Sequence, residues 1–203
     1  MGKMNLEQMD DAVFDVLKEL GNIGTGNAVT ALSKMLGQKI DIKLPKVQLL
    51  TFAELTECIG NPDDETVGVL LLVEGDITGM MMYVASIDSA RYIVKLLAGI
   101  ENQDVRFSDM ELSVLHEIGN IMAGAYLSAL SDLTHLKIIP SVPHVQIDMA
   151  AAILSVPAIE FGKISDKVLL IETSFSDDIN TDGYFILMPD VESYDKIFGT
   201  LGM

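Results

Sequence analysis

The 203-residue chain has no tryptophan, a single cysteine and no apolar run of the length that spans a membrane. Its longest candidates, such as Val67 to Val73, have the length of a strand, whereas a spanning helix needs about 18 apolar residues or more. The segment Met1 to Asn5 lacks the apolar stretch of a signal peptide. A lone Cys58 cannot form an internal disulfide, which fits a reducing compartment. We therefore expect a soluble, cytoplasmic protein.

Basic residues are also scarce. Thirteen lysines and arginines stand against thirty aspartates and glutamates, which gives a net charge of −17. Such a chain repels phosphate backbones and anionic lipid surfaces, so the composition predicts neither a nucleic acid nor a membrane partner. With 49% hydrophobic residues, the chain can bury a sizeable core as one domain or as two fused halves.

What the sequence does contain is an internal duplication. Two ungapped blocks, 19–50 and 117–148, lie 98 residues apart and are identical at thirteen of thirty-two positions. Each carries Glu-x-x-Asn followed by a proline, as Glu19, Asn22 and Pro45 and as Glu117, Asn120 and Pro143. We predict one domain, 1–203, built of two repeats at about 5–104 and about 105–203.

Both repeats show the same predicted order of a helix, about three strands and a helix. The first helices are expected at about Asp10 to Leu36 and about Ser108 to Leu133. The predicted strands are Lys39 to Ile42, Val47 to Thr51, Val67 to Glu74 and Gly79 to Val84, and then Val145 to Met149, Lys167 to Ser174 and Gly183 to Met188. Closing helices follow at 86–97 and 191–201. We expect an α+β fold in which both halves share one mostly antiparallel sheet with pseudo-two-fold symmetry.

Helical spacing separates an apolar stripe from the repeated motif. The stripe predicted to face the core consists of Val13, Val16, Leu17, Leu20, Ala31 and Met35. The opposite face holds Asp15, Glu19, Asn22 and Gly26, and its counterpart holds Ser113, Glu117, Asn120 and Gly124. Glu and Asn three residues apart can touch one external object. We expect Gly26 and Gly124 to clear room for a partner's backbone, and Pro45 and Pro143 to shape the turns into strands.

Two other segments resemble known motifs but do not match them. Gly21 to Gly26 resembles a nucleotide-binding loop, but it lies inside a helical pattern and follows no strand. His116 and Glu117 begin like a zinc-protease helix, yet Asn120 stands at the second ligand position. We therefore expect no metal and no cofactor bound by this chain itself.

The repeated motif resembles the signature of the CheC family of bacterial chemotaxis phosphatases. The resemblance rests on Asp15-x-x-x-Glu19-x-x-Asn22 with Pro45 and on Ser113-x-x-x-Glu117-x-x-Asn120 with Pro143, and it covers nearly the whole chain. It implies dephosphorylation of the response regulator CheY, a partnership with the receptor deamidase CheD and a sheet that carries two active-site helices. The two intact motifs resemble CheC itself more than the single-site relative CheX or the longer flagellar-switch protein FliY.

The implied substrate is an aspartyl phosphate on a receiver domain, which brings its own Mg²⁺ and Lys. Hydrolysis then needs a water in line with phosphorus, and we expect Asn22 and Asn120 to orient it. Glu19 and Glu117 would pair with the receiver's Lys, while Asp15, Gly26, Pro45, Ser113, Gly124 and Pro143 would support the site or face the partner. The alternative is a non-catalytic receiver-binding adaptor or flagellar-switch module, and a metal hydrolase is a distant third.

Overall fold

The computed structural model describes residues 11–37, 39, 46–102, 104, 106–161, 167–174 and 182–201. The first half contains α1 (Asp11–Leu36), β1 (Lys46–Thr51), α2 (Phe52–Ile59), β2 (Glu65–Gly75), β3 (Gly79–Ser86) and α3 (Ile87–Ala98). The second half contains α4 (Asp109–Thr134), β4 (Ile138–Pro140), β5 (His144–Met149), α5 (Ala150–Phe161), β6 (Lys167–Ser174), β7 (Asp182–Pro189) and α6 (Val191–Thr200).

All seven described strands form one sheet in which neighbouring strands run antiparallel. The order is β1, β6, β7, β3, β2, with both β4 and β5 paired to β2. If β1, β2 and β3 are exchanged with β5, β6 and β7, the order reads the same from the other edge of the sheet. A pseudo-two-fold axis therefore lies between β3 and β7. The predicted α+β fold with a mostly antiparallel sheet is confirmed.

Alternating side chains divide the sheet between two cores. Val67, Val69 and Leu71 of β2 point to one face, where they join the buried residues of α1, α3, α4 and α6. Met80, Met82 and the other alternate positions point to the opposite face, which α2 and α5 cover. Since successive strand residues face opposite ways, a strand buried on both sides reads as a continuous apolar run. That is why β2 and β3 are so uniformly hydrophobic.

The structure differs from the predicted order of elements in two respects, and the first is the short strand β4, which was not predicted. Each half contains a further helix, α2 or α5, directly after β1 or β5, so the halves are not simply helix, three strands and helix. Thr51 caps α2 through a reciprocal capping box with Glu54. The strand predicted at Lys39 to Ile42 falls, apart from Lys39, outside the described residues, as do residues 1–10. The division into repeats at about 104 and 105 stays a prediction.

The apolar stripe predicted for α1 is partly wrong. Leu17 and Leu20 are buried, but Ala31 is exposed and 47% of Met35 is accessible. The buried face turns instead through Gly24, Thr25, Ala28 and Leu32. Small residues are buried there because α1 packs directly against α4, which a pattern built from large apolar residues does not reveal. Among the described helices, none is long and apolar enough to cross a membrane.

Candidate functional site

The two repeated Glu and Asn pairs lie on the solvent side of two adjacent helices. Glu19 and Asn22 are exposed on α1, and Glu117 and Asn120 are exposed on α4. The two helices pack against each other on the same face of the sheet. The structure therefore gives both copies of the motif access to a docking molecule.

The inward face of α4 explains why its motif points outward. Leu115, Ile118, Gly119 and Met122 are all buried. A side-chain Cβ at Gly119 would lie 2.4 Å from Val69 Cγ1, so only glycine permits this close approach of helix to strand. Since residues three and four apart share a helical face, Glu117 and Asn120 are left on the opposite side.

The contact between the two helices fixes their relative rotation. Tyr126 of α4 lies over Gly24 of α1, where a Cβ would come within 2.2 Å of the Tyr126 ring. The Tyr126 hydroxyl is hydrogen-bonded to the Thr25 hydroxyl at 2.8 Å in the buried interface. The same ring packs on Phe185, with ring centroids 5.2 Å apart. This interlock lies within one turn of Asn22 and so sets the direction in which that side chain points.

The start of α4 is anchored by a second network. The Ser108 side chain accepts from the Glu111 N–H, while the Glu111 carboxylate accepts from the Ser108 N–H at 2.7 Å. Asn102 donates to the same carboxylate at 3.0 Å, and Arg91 Nη1 lies 3.4 Å from Glu111 Oε1. Burial alone would raise the pKa of Glu111, but the hydrogen bonds from Asn102 and Ser108 and the charge of Arg91 outweigh it and hold the pKa below its usual value.

Beside the second motif, the structure forms a groove of about 640 Å³. One wall is the outer face of α4, with Ser113, His116, Glu117 and Asn120. The other wall is the connection between β4 and β5, with Pro140, Ser141, Val142 and Pro143. One side of this open groove is thus lined by an amide, a carboxylate, a hydroxyl and an imidazole. The other side is largely apolar.

Of the predicted supporting residues, those that lie in the described part are near the motif. Asp15 is exposed and lies 3.6 Å from Lys18, while Ser113 and Pro143 line the groove of the second motif. A Cβ at Gly26 or at Gly124 would have no heavy atom of the described residues within 4 Å. Pro45 lies outside the described residues.

Four groove residues were not among the predicted site residues. These are His116, Pro140, Ser141 and Val142. Three of them belong to the strand connection, which reaches α4 only because β4 and β5 both pair with β2. The repeated proline at 143 was the only sequence signal that pointed to this connection. In the described part of the chain, no cluster of three or more His, Cys, Asp or Glu residues could hold a metal ion.

Comparisons with known proteins identify the family. A model of the CheC-like family matches residues 13–48 and 110–147, the two segments that contain the repeated motif. The chain is 36% identical over 195 residues to the CheY-P phosphatase CheC of Bacillus subtilis, with 93% of each protein covered. The fold resembles that of Thermotoga maritima FliY, with a TM-score of 0.71, 23% identity and 95% and 97% of the two chains covered.

A second solved structure is also similar in fold. It is the complex of CheX with CheY, BeF₃ and Mg²⁺ from Borrelia burgdorferi, with a TM-score of 0.52 and 17% identity over 82% of this chain and 95% of the other. The expected resemblance to CheC is confirmed by the identity to the Bacillus subtilis protein. The chain belongs to the CheC-like family and is a phosphatase.

Proposed function

We propose that the protein hydrolyses the aspartyl phosphate of a CheY-type response regulator. The observation that carries this proposal is that both Glu and Asn pairs are repeated at the same spacing and both are exposed on packed helices. The relative of 36% identity is named a CheY-P phosphatase, and a structure of similar fold holds CheY. These similarities support the substrate assignment.

The proposed reaction is an in-line attack of water on phosphorus. The new P–O bond forms to the water oxygen as the bond between phosphorus and the aspartyl oxygen breaks, which releases inorganic phosphate and restores the carboxylate. In a loose phosphoryl-transfer transition state, little deprotonation of water is needed, so correct placement of that water is the main requirement. The exposed amides of Asn22 and Asn120 offer both a donor and an acceptor and carry no charge that would repel phosphate.

The two glutamates have a docking role in this proposal. Glu19 and Glu117 lie one helical turn from Asn22 and Asn120 on the same exposed faces. A receiver lysine that pairs with the carboxylate would hold the neighbouring amide over the acyl phosphate. The Mg²⁺ that neutralises the phosphate would belong to the receiver and not to this chain.

The direct test is the decay of phosphorylated receiver. Adding the protein should accelerate release of phosphate, and Asn22→Ala together with Asn120→Ala should reduce the accelerated rate by at least about 100-fold, because water is no longer positioned. Asn27→Ala is the matched control, since Asn27 is exposed on α1 and the second copy has Ala125 at the corresponding position. A double variant that keeps the wild-type rate would reject the mechanism.

The same assay separates the phosphatase from the alternative adaptor. An adaptor would retain phosphorylated receiver without shortening its lifetime, whereas the phosphatase shortens it. A partnership with a CheD-type deamidase and a cytoplasmic location remain predictions. They can be checked by binding of purified CheD-type protein and by cell fractionation.

A further inference from the structure

We propose that Val142, held on its strand connection by Ser141, is a docking anchor that seats an apolar side chain of the receiver domain beside the acyl phosphate. This inference rests on the proposed function, since it concerns the partner of the same groove. It adds a contact that lies outside both helices and outside the Glu and Asn motif. It also assigns Ser141 a positioning role.

The connection is rigid for identifiable reasons. β4 and β5 pair with the same strand, β2, and the residues between them cross beside Leu72. The Ser141 N–H donates to the Leu72 carbonyl at 2.8 Å, and the Leu72 N–H donates to the Ser141 hydroxyl at 2.9 Å. Both backbone polar groups of Leu72 are thereby satisfied by one serine. Pro140 and Pro143 fix two further φ angles around it.

This support presents Val142 to solvent. Val142 is 85% accessible, the highest value among the exposed large apolar residues of the described chain. Single exposed apolar residues are ordinary on protein surfaces. Val142 differs because its backbone is pinned on both sides and because it lines the same groove as Glu117 and Asn120. A β-branched side chain on a fixed backbone loses little conformational entropy when it is buried by a partner.

The charges in the groove favour a receiver over a second copy of this chain. Glu117 is an exposed carboxylate that attracts cations, and the receiver of the proposed reaction brings a lysine and a metal ion. A second copy would bring a chain of net charge −17 to a carboxylate. The groove thus accommodates a partner that is cationic near Glu117 and apolar near Val142.

The experiment is direct binding of the full chain to a CheY-type receiver loaded with beryllofluoride and Mg²⁺, measured by calorimetry. Glu19→Ala and Asn22→Ala are present throughout, so that only the second motif contributes to binding and to the parallel rate measurements. Val142→Ala should weaken binding about five- to tenfold, because two buried methyl groups are lost. Ile159→Ala is the matched control, since Ile159 is 66% accessible on α5 at the other face of the sheet.

In the rate measurement, Val142→Ala should raise the half-saturating receiver concentration by the same factor and leave the maximal rate within about twofold. Ser141→Ala should weaken binding about two- to threefold, whereas Ser141→Thr, which keeps the hydroxyl, should bind as tightly as the parent chain. Equal binding by the Val142→Ala and Ile159→Ala chains would overturn the proposal, and so would the absence of binding by the parent. If binding falls as expected but no chain accelerates decay, the anchor stands and the proposed catalysis fails.

Discussion

The two copies of the repeat keep the same Glu and Asn on their exposed faces and differ at the helix contact between Gly24 and Tyr126. Glu19, Asn22 and Gly26 have identical counterparts in the second copy. The two residues at this contact differ in size from their counterparts in the other copy. Gly24 corresponds to Met122, and Tyr126 corresponds to Ala28, and all four are buried. The large Tyr126 ring of one copy occupies the space that the glycine of the other leaves free.

This contrast shows which identities packing requires. At this contact the two copies have diverged in a complementary way, because the large Tyr126 ring fills the space that Gly24 leaves free. The Glu and Asn side chains are exposed, so packing of the interior does not account for their identity in both copies. The proposed docking of a receiver would account for it.

The largest expected effect tests whether the two motifs act independently. Asn22→Ala should leave only the second site and Asn120→Ala only the first, so the two residual rates should sum to the wild-type rate. The double variant should fall by at least about 100-fold. Single-turnover decay of phosphorylated receiver, measured with each protein in excess, gives all four rates under one condition.

If the two residual rates do not sum to the wild-type rate, the two sites do not act independently. If either single variant already loses nearly all activity, the sites are coupled, and the buried hydrogen bond between Thr25 and Tyr126 is the first connection to test. Tyr126→Phe removes that hydrogen bond and keeps the ring. An additive pair of single variants with the Tyr126→Phe rate unchanged would exclude such coupling.

The next effect concerns the contact between Gly24 and Tyr126. Gly24→Ala should destabilise the protein by about 2 to 3 kcal/mol, although alanine favours a helix by about 1 kcal/mol over glycine. The new Cβ would lie 2.2 Å from a Tyr126 ring that packs on Phe185 and cannot easily move away. Chemical denaturation measures the loss. In a Tyr126→Ala background the same change should become neutral or stabilising, and a cost of equal size there would contradict the interlock.

A smaller effect distinguishes the starts of α1 and α4. Glu111 completes a capping box in the second copy, but the corresponding first-copy residue is Val13, which cannot accept the reciprocal hydrogen bond. Glu111→Gln should cost about 2 kcal/mol at neutral pH, because charged hydrogen bonds to Ser108, Asn102 and Arg91 are replaced.

The pH dependence of that cost has a definite sign. The pKa of Glu111 is lower in the folded protein than its ordinary value of 4.5, so its stabilisation is present above that value and is lost as the pH falls through the folded pKa. The difference in unfolding free energy between wild type and Glu111→Gln should therefore shrink from pH 7 to pH 3. A difference that stays constant over this range would show that the charge of Glu111 is not what stabilises the helix start.

Much of the fold followed from the sequence because strong local signals agreed. α3 lies close to the predicted residues 86–97, because Ser86 is its N-cap and Gly99 ends it in the left-handed conformation. β6 was predicted at its observed residues, 167–174. α5 was missed because its hydrophobicity shows almost no helical periodicity and Pro157 lies within it. The sequence of α5 therefore lacks the apolar periodicity that indicates a helix, and its proline argues against one.

The site was predictable only in part. Repetition found Glu19, Asn22, Glu117 and Asn120, which the structure places on exposed faces, although their roles remain proposals. The groove wall at Val142 could not be predicted from the sequence, because its approach to α4 depends on the pairing of β4 and β5 with one strand. Long-range strand pairing has no local signature. The error at Ala31 and Met35 has the same origin, since helix contact with α4 set the buried face.

A gain in stability is expected where both copies keep a glycine, exposed at Gly26 and half-buried at Gly124. Gly26→Ala and Gly124→Ala should each stabilise the protein by up to about 1 kcal/mol, because a Cβ at either position meets no described heavy atom within 4 Å. If these glycines clear room for the receiver, the same variants should raise the half-saturating receiver concentration. Thermal unfolding measures the change in stability, and the decay assay measures the half-saturating receiver concentration. Stabilised variants with unchanged receiver binding would assign the glycines no role in docking.

The smallest effect lies at Asp15, one of the exposed positions where the two copies differ. Asp15 forms an exposed ion pair with Lys18 at 3.6 Å, whereas the second copy has Ser113 and His116. Asp15→Ser should change stability by less than about 0.5 kcal/mol, since exposed pairs contribute little. In an Asn120→Ala background, where only the first motif acts, it should raise the half-saturating receiver concentration by up to about twofold at low salt, because an attractive charge is lost. That difference should vanish near 0.5 M salt, where the screening length falls to roughly 4 Å. A shift that persists at high salt would mean that Asp15 makes a direct contact with the receiver and does more than attract it.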